Sequence, residues 1–303
     1  MPQNCFVFEF TDCGLRKKSY FYTKIMQPIT EYIKERLLSL YPKGEARVFT
    51  RLLLDKVCGV SPHRQLYDKD IKLSDAQAAR LNNCIARLLN EEPIQYVLGE
   101  AEFFGSVFEV APGVLIPRPE TEELVGHIVA KHKNETVKVL DIGTGSGCIA
   151  VSLAKNIANA DVYAIDISAA ALSIARSNAG RIGVNVSFLQ HDVFEALPLS
   201  EQFDIIVSNP PYVMDCERGA MSRNVLDYEP SGALFVPDND ALLFYRRIAE
   251  VALGCLTPRG VVYAEINALL GRETAALFTE MGFSEVRIIR DISQKERFVE
   301  ARR

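Results

Sequence analysis

The stretch Val139-Leu140-Asp141-Ile142-Gly143-Thr144-Gly145-Ser146-Gly147 constrains the fold most. An apolar run carries one carboxylate, three glycines follow at alternate positions, and an apolar helical pattern begins at once. Glycines let the backbone bend sharply and let a ligand approach where a Cβ would otherwise stand. The helix behind such a bend offers unpaired N–H groups. The downstream pattern agrees with one strand–bend–helix unit among several. Strands are expected at 137–142, 162–166, 186–189, 205–208, 261–265, 286–289 and 298–301, and helices at 147–157, 168–179, 240–255 and 270–281. Short apolar strands alternating with amphipathic helices imply an α/β fold, a parallel sheet covered on both faces. The last two strands are joined by no more than residues 290–297. A parallel crossover needs about a dozen residues or more, so that pair must be antiparallel.

The first third of the chain has a different period. Ile33, Leu37, Leu38 and Tyr41 share one helical face after a candidate N-cap at Thr30, and Pro42 closes it. Val48, Leu52, Leu53 and Val57 form the next stripe, with Gly59 just beyond. Ser74-Asp75-Ala76-Gln77 has capping-box form ahead of Leu81, Ile85, Leu88 and Leu89. Residues 26–92 therefore read as a small helical domain. Tyr96-Val97-Leu98 and Phe108-Glu109-Val110 flank the turn-prone Phe103-Phe104-Gly105, so a β-hairpin linker is expected over 93–115. The sheet domain then occupies 116–303. Residues 1–25, with Arg16-Lys17-Lys18 and Tyr20-Phe21-Tyr22, read as an extension outside the folded unit.

Composition narrows the function. With 34 Lys plus Arg against 39 Asp plus Glu, the chain carries −5, and residues 26–110 hold 11 basic and 12 acidic side chains. That balance argues against gripping nucleic acid mainly through phosphates. No apolar run approaches the ~18 residues of a membrane span. Seven cysteines form no Cys-x-x-Cys pair, and none of the four histidines stands at ligand spacing from one. This favours reduced, mostly buried thiols in the cytoplasm and no structural metal. Cys148 is read as a small packing residue, and His191 as an exposed loop histidine.

Asp166 stands nineteen residues after Gly147, at the end of the next expected strand. A carboxylate there can accept both hydrogen bonds of a ribose diol. The glycine spacing is Gly-x-Gly-x-Gly, not the Gly-x-Gly-x-x-Gly of dinucleotide sites, so a nucleoside without a pyrophosphate fits better. S-adenosylmethionine is such a ligand.

Asn209-Pro210-Pro211-Tyr212 follows the strand ending at Ser208, at a carboxyl end of the sheet. Open α/β sheets bind ligands at that edge. Each proline fixes its own φ and biases the residue before it toward extended backbone. The Asn209 side-chain oxygen and the Pro210 carbonyl can then converge on one NH₂ group, and Tyr212 offers a flat aromatic face. An ordinary turn explains Asn-Pro-Pro-Tyr equally well when it is taken alone. Beside the glycine bend and Asp166, methyl transfer to a planar nitrogen explains more. A delocalised amide lone pair is a poor nucleophile, and alignment can contribute several kcal/mol, with about 7–11 the ideal range.

These residues carry a resemblance. Asp141–Gly147, Asp166 and Asn209–Tyr212 look like an S-adenosylmethionine-dependent methyltransferase acting on amino nitrogens. With Ile116-Pro117-Arg118-Pro119-Glu120-Thr121-Glu122, Tyr228-Glu229-Pro230 and Glu92-Pro93…Tyr96…Gly99…Glu102-Phe103, residues 26–303 resemble the release factor glutamine methyltransferase (PrmC/HemK) family. The resemblance implies a Rossmann-like class I methyltransferase sheet. It also implies methylation of the side-chain amide nitrogen of the Gln in the Gly-Gly-Gln motif of peptide chain release factors. Carried over, Asp141, Gly143, Thr144, Gly145, Ser146 and Gly147 cradle S-adenosylmethionine and Asp166 holds its ribose. Asp192 and Val193 border its adenine, and Asn209 adjoins it. Asn209 and Pro210 hold the substrate amide, while Pro211 and Tyr212 line its pocket. Residues 117–122 wall the site, with Arg118 and Glu120 toward substrate. From composition alone Arg118 is a solvated loop charge or a partner of Glu120 or Glu122. Glu265-Ile266-Asn267 departs from the glycine commoner in the family after Glu-Ile.

Other readings stand beside this one. A sister enzyme would methylate a glutamine of a ribosomal protein. A base methyltransferase would stack Tyr212 on a flipped base, against the acidic balance. A nicotinamide-dependent oxidoreductase leaves Asn209–Tyr212 without a purpose.

Overall fold

The computed structural model describes residues 28–68 and 71–303; the expectation for 1–25 lies outside them. The chain opens with α1 (Ile29–Leu37) and α2 (Lys43–Leu52), which runs on into a π-helical turn, Leu53–Val57. Then come α3 (Pro62–Tyr67), α4 (Asp75–Leu89) and α5 (Ile94–Leu98). Ile33, Leu37, Leu53, Leu54, Leu81, Ile85, Leu88 and Val97 close into a core of their own. Ser74 accepts from the Gln77 N–H while the Gln77 side chain accepts from the Ser74 N–H, so the expected capping box forms. Thr30 is not a cap, because Pro28 occupies the position before the first helical residue. Leu38 and Val48 do not join the core; they are 43% and 50% exposed. Leu38 keeps helical dihedrals with its N–H on the Lys34 carbonyl, so it stands one residue round the helix from the buried Ile33 and Leu37.

Residues 96–98, expected as the first arm of a hairpin, belong instead to a helix, Ile94–Leu98. Pro93 precedes its first residue and Gly99, left-handed at φ 76°, stops it. The hairpin is shorter, β1 (Glu100–Phe103) paired antiparallel with β2 (Ser106–Glu109). A second departure is α6 (Pro119–His132), a helix not among those expected. Pro119 holds Arg118 extended (φ −104°, ψ 148°) and supplies the first helical residue. Leu124, Val125 and Ile128 then bury one face.

The remaining elements follow the expected alternation: β3 (Thr136–Ile142), α7 (Cys148–Asn156), β4 (Asn159–Asp166), α8 (Ala169–Ile182), β5 (Ser187–Gln190) and β6 (Phe203–Ser208). After the short β7 (Val213–Met214), α9 (Arg223–Tyr228) and β8 (Phe235–Val236) come α10 (Leu243–Cys255), β9 (Leu256–Glu265), α11 (Gly271–Glu280), β10 (Ser284–Arg290) and β11 (Glu296–Arg302). The seven-stranded sheet runs β10-β11-β9-β6-β3-β4-β5, and β11 is antiparallel to both neighbours. Side chains alternate between faces, as strand geometry requires. Val139, Ile205, Val207 and Tyr263 pack under α6 and α7, and Leu140, Ile142, Ile206 and Val262 under α10 and α11. No helix among the described residues is long and apolar enough to cross a membrane.

Candidate active site

Strand register assembles the site. Ile142 pairs with Ile165 on one side and with Ser208 on the other, and Ser208 pairs with Ala264. The next residues, Asp166, Gly143, Asn209 and Glu265, therefore leave four adjacent strands in one row. The chain order reverses at β3, between β4 and β6, which is where open α/β sheets bind ligands.

On one side of that point lies the glycine bend. Gly143, Gly145 and Gly147 take φ of +74°, +56° and +79°, conformations that L side chains rarely adopt. A Cβ at Gly143 would meet nothing within 4 Å, whereas one at Gly147 would stand 3.0 Å from the Ala175 Cβ. The first glycine thus leaves space for a ligand, and the third lets α7 pack on α8. The Gly143 and Thr144 N–H groups donate to the Ile165 carbonyl, and the Gly145 N–H donates to Asp166 Oδ2 at 2.9 Å. Asp166 Oδ1 accepts from the Ser168 N–H at 2.8 Å. Asp166 therefore shapes the bend while each oxygen keeps a lone pair for a ligand. The Ser146 carbonyl accepts from Asn178 Nδ2.

Asp141 is buried beneath the bend. Its Oδ2 accepts from Thr144 Oγ1 at 2.6 Å and from the Ala150 N–H at 3.2 Å; its Oδ1 has no partner. Burial pushes this carboxyl up to about 7, with the charge of Asp166 adding to the rise. An orphaned buried carboxylate oxygen beside open glycine backbone suits a ligand that brings N–H donors and positive charge. The residues present fit S-adenosylmethionine on those grounds.

On the other side lies the di-proline corner. Ser208 Oγ donates to the Ile142 carbonyl at 2.7 Å, fastening the start of the corner to the strand end before the bend. Asn209 Nδ2 donates to Thr121 Oγ1 at 3.1 Å, and Thr121 Oγ1 donates to Glu265 Oε2 at 2.7 Å. Tyr212 Oη donates to Glu265 Oε1 at 2.8 Å. Glu265 and Thr121 are buried, Asn209 and Tyr212 half-buried. Burial raises the Glu265 carboxyl, while the bonds from Thr121 and Tyr212 and the nearby Arg297 charge pull it back. The Tyr212 hydroxyl is held well above its ordinary value by burial and by Glu265. The Tyr212 carbonyl accepts from Asn267 Nδ2 at 3.0 Å, and its N–H donates to the Leu234 carbonyl. Pro210 is buried and Pro211 half-buried in the same corner.

The outlying candidates are placed differently. Arg118 pairs with neither Glu120 nor Glu122; its Nη2 donates to Glu229 Oε1 at 2.5 Å, and the Ile116 N–H donates to Glu229 Oε2. Glu122 instead accepts from the Phe104 N–H. Glu120 stands half-buried in the first turn of α6, and its charge acts on Glu265. Asp192 and Val193 follow β5; Asp192 Oδ1 accepts from the Phe194 N–H, and Val193 packs against the Leu140–Ile142 face of the core. His191 is not the exposed loop residue expected, since its Nε2 is buried without a partner. Glu265, Glu229 and Asn267 were not among the residues assigned a role from sequence, and Thr121 only as part of the 117–122 wall. A carboxylate closing the apolar run Val261–Ala264 was the available signal for Glu265.

Comparison with known proteins agrees with this geometry. Residues 28–99 match the family model described as PrmC N-terminal domain, and residues 120–227 the one described as methyltransferase small domain. A release factor glutamine methyltransferase of Bacteroides thetaiotaomicron is 48% identical over 92% of this chain and 100% of its own length. One from Flavobacterium psychrophilum is 42% identical over 89% and 96%. Among solved structures, a Thermus thermophilus 16S rRNA N2 G1207 methyltransferase in complex with AdoMet and guanosine superposes at TM-score 0.50. It is 21% identical and covers 67% of this chain and 49% of its own, a likeness of fold.

Proposed function

Because the chain belongs to the release factor glutamine methyltransferase family, we propose that it methylates the side-chain amide nitrogen of the Gly-Gly-Gln glutamine in peptide chain release factors. The observation that carries this reading is the row of strand ends that sets Gly143 and Asn209 side by side, tied by Ser208. S-adenosylmethionine, when bound, supplies an electrophilic methyl carbon on a sulfonium.

The residues of this chain do the rest. Gly143 and Gly145 leave room for the nucleoside, Asp166 receives its ribose hydroxyls, and Asp141 faces its charge. Asp192 and Val193 border the adenine. Asn209 Oδ1 and the Pro210 carbonyl each accept one hydrogen of the substrate NH₂, which fixes the nitrogen in place. Tyr212 and Pro211 wall the amide plane, and Tyr212 is itself immobilised through Glu265 and Asn267. No base is required before attack, because the nitrogen proton turns acidic only as the new bond forms. Arg118 acts indirectly, by pinning the Ile116–Pro119 wall to Glu229.

We assign substrate recognition to the helical domain, residues 26–92, and linkage to 93–115. Tyr228 Oη donates to the Asn90 carbonyl and Arg223 pairs with Glu91, so the segment beside the site touches that domain directly. Free thiols at Cys58, Cys84, Cys148, Cys216 and Cys255 fit a cytoplasmic setting, where release factors act.

The test is mass spectrometry of a purified release factor incubated with this protein and S-adenosylmethionine. The expected result is one added methyl on the Gly-Gly-Gln glutamine, formed much more slowly by Asn209→Ala. Methylation elsewhere, or unaltered turnover in Asn209→Ala, would contradict the reading.

A further inference from the structure

We infer that Glu265, acting through Thr121, sets the direction in which the Asn209 amide points, and so makes the site selective for a nitrogen that donates two hydrogens. The inference rests on the methyl-transfer reading of the site and concerns positioning residues for that reaction.

A threonine hydroxyl has a single proton, and a carboxylate whose two oxygens each accept a hydroxyl proton has none to give back. At 2.7 Å from Glu265 Oε2, Thr121 must spend its proton on that oxygen. Thr121 Oγ1 can then only accept, and the group facing it at 3.1 Å must be a donor. Asn209 satisfies this with Nδ2, which turns Oδ1 to the opposite side of the amide. The reversed orientation would set Asn209 Oδ1 against a hydroxyl oxygen with no proton to give. It would also present NH₂ to the substrate NH₂, donor against donor.

Burial makes the ordering strict. Thr121 is 2% exposed and Glu265 1%, so water does not replace either partner. The second carboxylate oxygen of Glu265 takes the Tyr212 hydroxyl at 2.8 Å. One buried carboxylate therefore orders both polar residues that flank the di-proline corner. Thr121 comes from α6 and Glu265 from β9, 144 residues apart in the chain. Neither is placed to touch a substrate nitrogen that Asn209 holds; each acts through Asn209.

Steady-state methylation of a purified release factor tests this with Thr121→Val, Thr121→Ser and Glu265→Gln. Val keeps the shape and removes the hydroxyl; Ser keeps the hydroxyl; Gln lets the side chain donate to Thr121 and frees the chain to reverse. Thr121→Val and Glu265→Gln are expected to lower kcat about ten- to hundredfold, the rate equivalent of one misdirected buried hydrogen bond. In Thr121→Val, which leaves the Glu265–Tyr212 bond in place, KM and cofactor affinity should change little, and Thr121→Ser should recover most of the rate. A double-mutant cycle separates positioning from mere packing. In an Asn209→Ala background, Thr121→Val should cost nothing further, because there is no amide left to orient. Wild-type kcat in Thr121→Val, or equal losses with and without Asn209, would overturn the inference. A wild-type protein that transfers no methyl group would instead overturn the reading beneath it.

Discussion

The Ser208 hydroxyl donates a 2.7 Å hydrogen bond to the carbonyl oxygen of Ile142. Ile142 is the last residue before the glycine bend and Ser208 the last before the di-proline corner, so this bond joins the two halves of the site. Both residues are buried. Ser208→Ala should cost about 1 kcal/mol, a fall in Tm of roughly 2–4 °C for a domain of this size. The rate should fall further than cofactor affinity, because only transfer needs both halves in register. Thermal melts beside steady-state kinetics check this; a variant equal to wild type in both would show the bond to be idle.

Gly147 is required for a different reason than the open glycines before it. At φ +79°, a side chain there would be strained, and its Cβ would stand 3.0 Å from the Ala175 Cβ and 3.2 Å from the Ala175 Cα. Backbone cannot step aside as a flexible side chain can. Gly147→Ala should destabilise the protein by about 1–3 kcal/mol and weaken cofactor binding by moving α7 away from the bend. Gly180→Ala, on α8 with open space around it and ordinary φ, should do neither. Comparing the melting temperatures and cofactor affinities of the two variants tests the claim.

The parts of this fold that were legible from sequence are those encoded locally. Strands β3, β4, β6 and β9 announce themselves as apolar runs, and the glycine bend and the di-proline corner each lie within one short segment. The antiparallel β11 followed from the short link between 290 and 297 alone. What escaped depends on register between distant segments. Thr121, Asn209 and Glu265 meet only because β6 and β9 are neighbours and α6 packs across their ends. No local pattern states that adjacency. Helix α6 was hidden by its Pro-Arg-Pro-Glu start, although Leu124, Val125 and Ile128 carry the helical period. At α5 the apolar Tyr96-Val97-Leu98 read as strand, and Pro93 and Gly99 outweighed that pattern.

Arg118 and Glu229 give a third expectation. The Glu229 side chain is 1% exposed and Arg118 31%, so the carboxylate is the more vulnerable partner. Arg118→Met leaves that buried charge with only the Ile116 N–H. Removing one partner of a buried pair costs about 3–5 kcal/mol when both are sequestered; the half-open arginine lowers this to roughly 1–3 kcal/mol. Replacing both residues with apolar ones should cost less than Arg118→Met alone. Denaturant unfolding of the single and double variants decides it. A double variant less stable than Arg118→Met would mean the pair contributes through something other than charge balance.

Asp141 is expected to make the site pH-sensitive, and the sign follows from its environment. Burial raises its carboxyl from the ordinary 3.8 to about 7. Between these values the folded chain holds a proton that the unfolded chain has released. The stability of the free protein should therefore decline as pH rises from about 4 to 7. A cationic cofactor reverses the preference, since it favours the ionised carboxylate. Its affinity should rise from pH 6 to pH 8 and level off above, and binding near pH 7 should release a proton. Calorimetry in two buffers of different ionisation enthalpy measures that proton directly. Asp141→Asn should bind the cofactor more weakly with the pH slope gone. An affinity that is flat across the window in the wild type would mean that Asp141 does not meet the charge of the ligand.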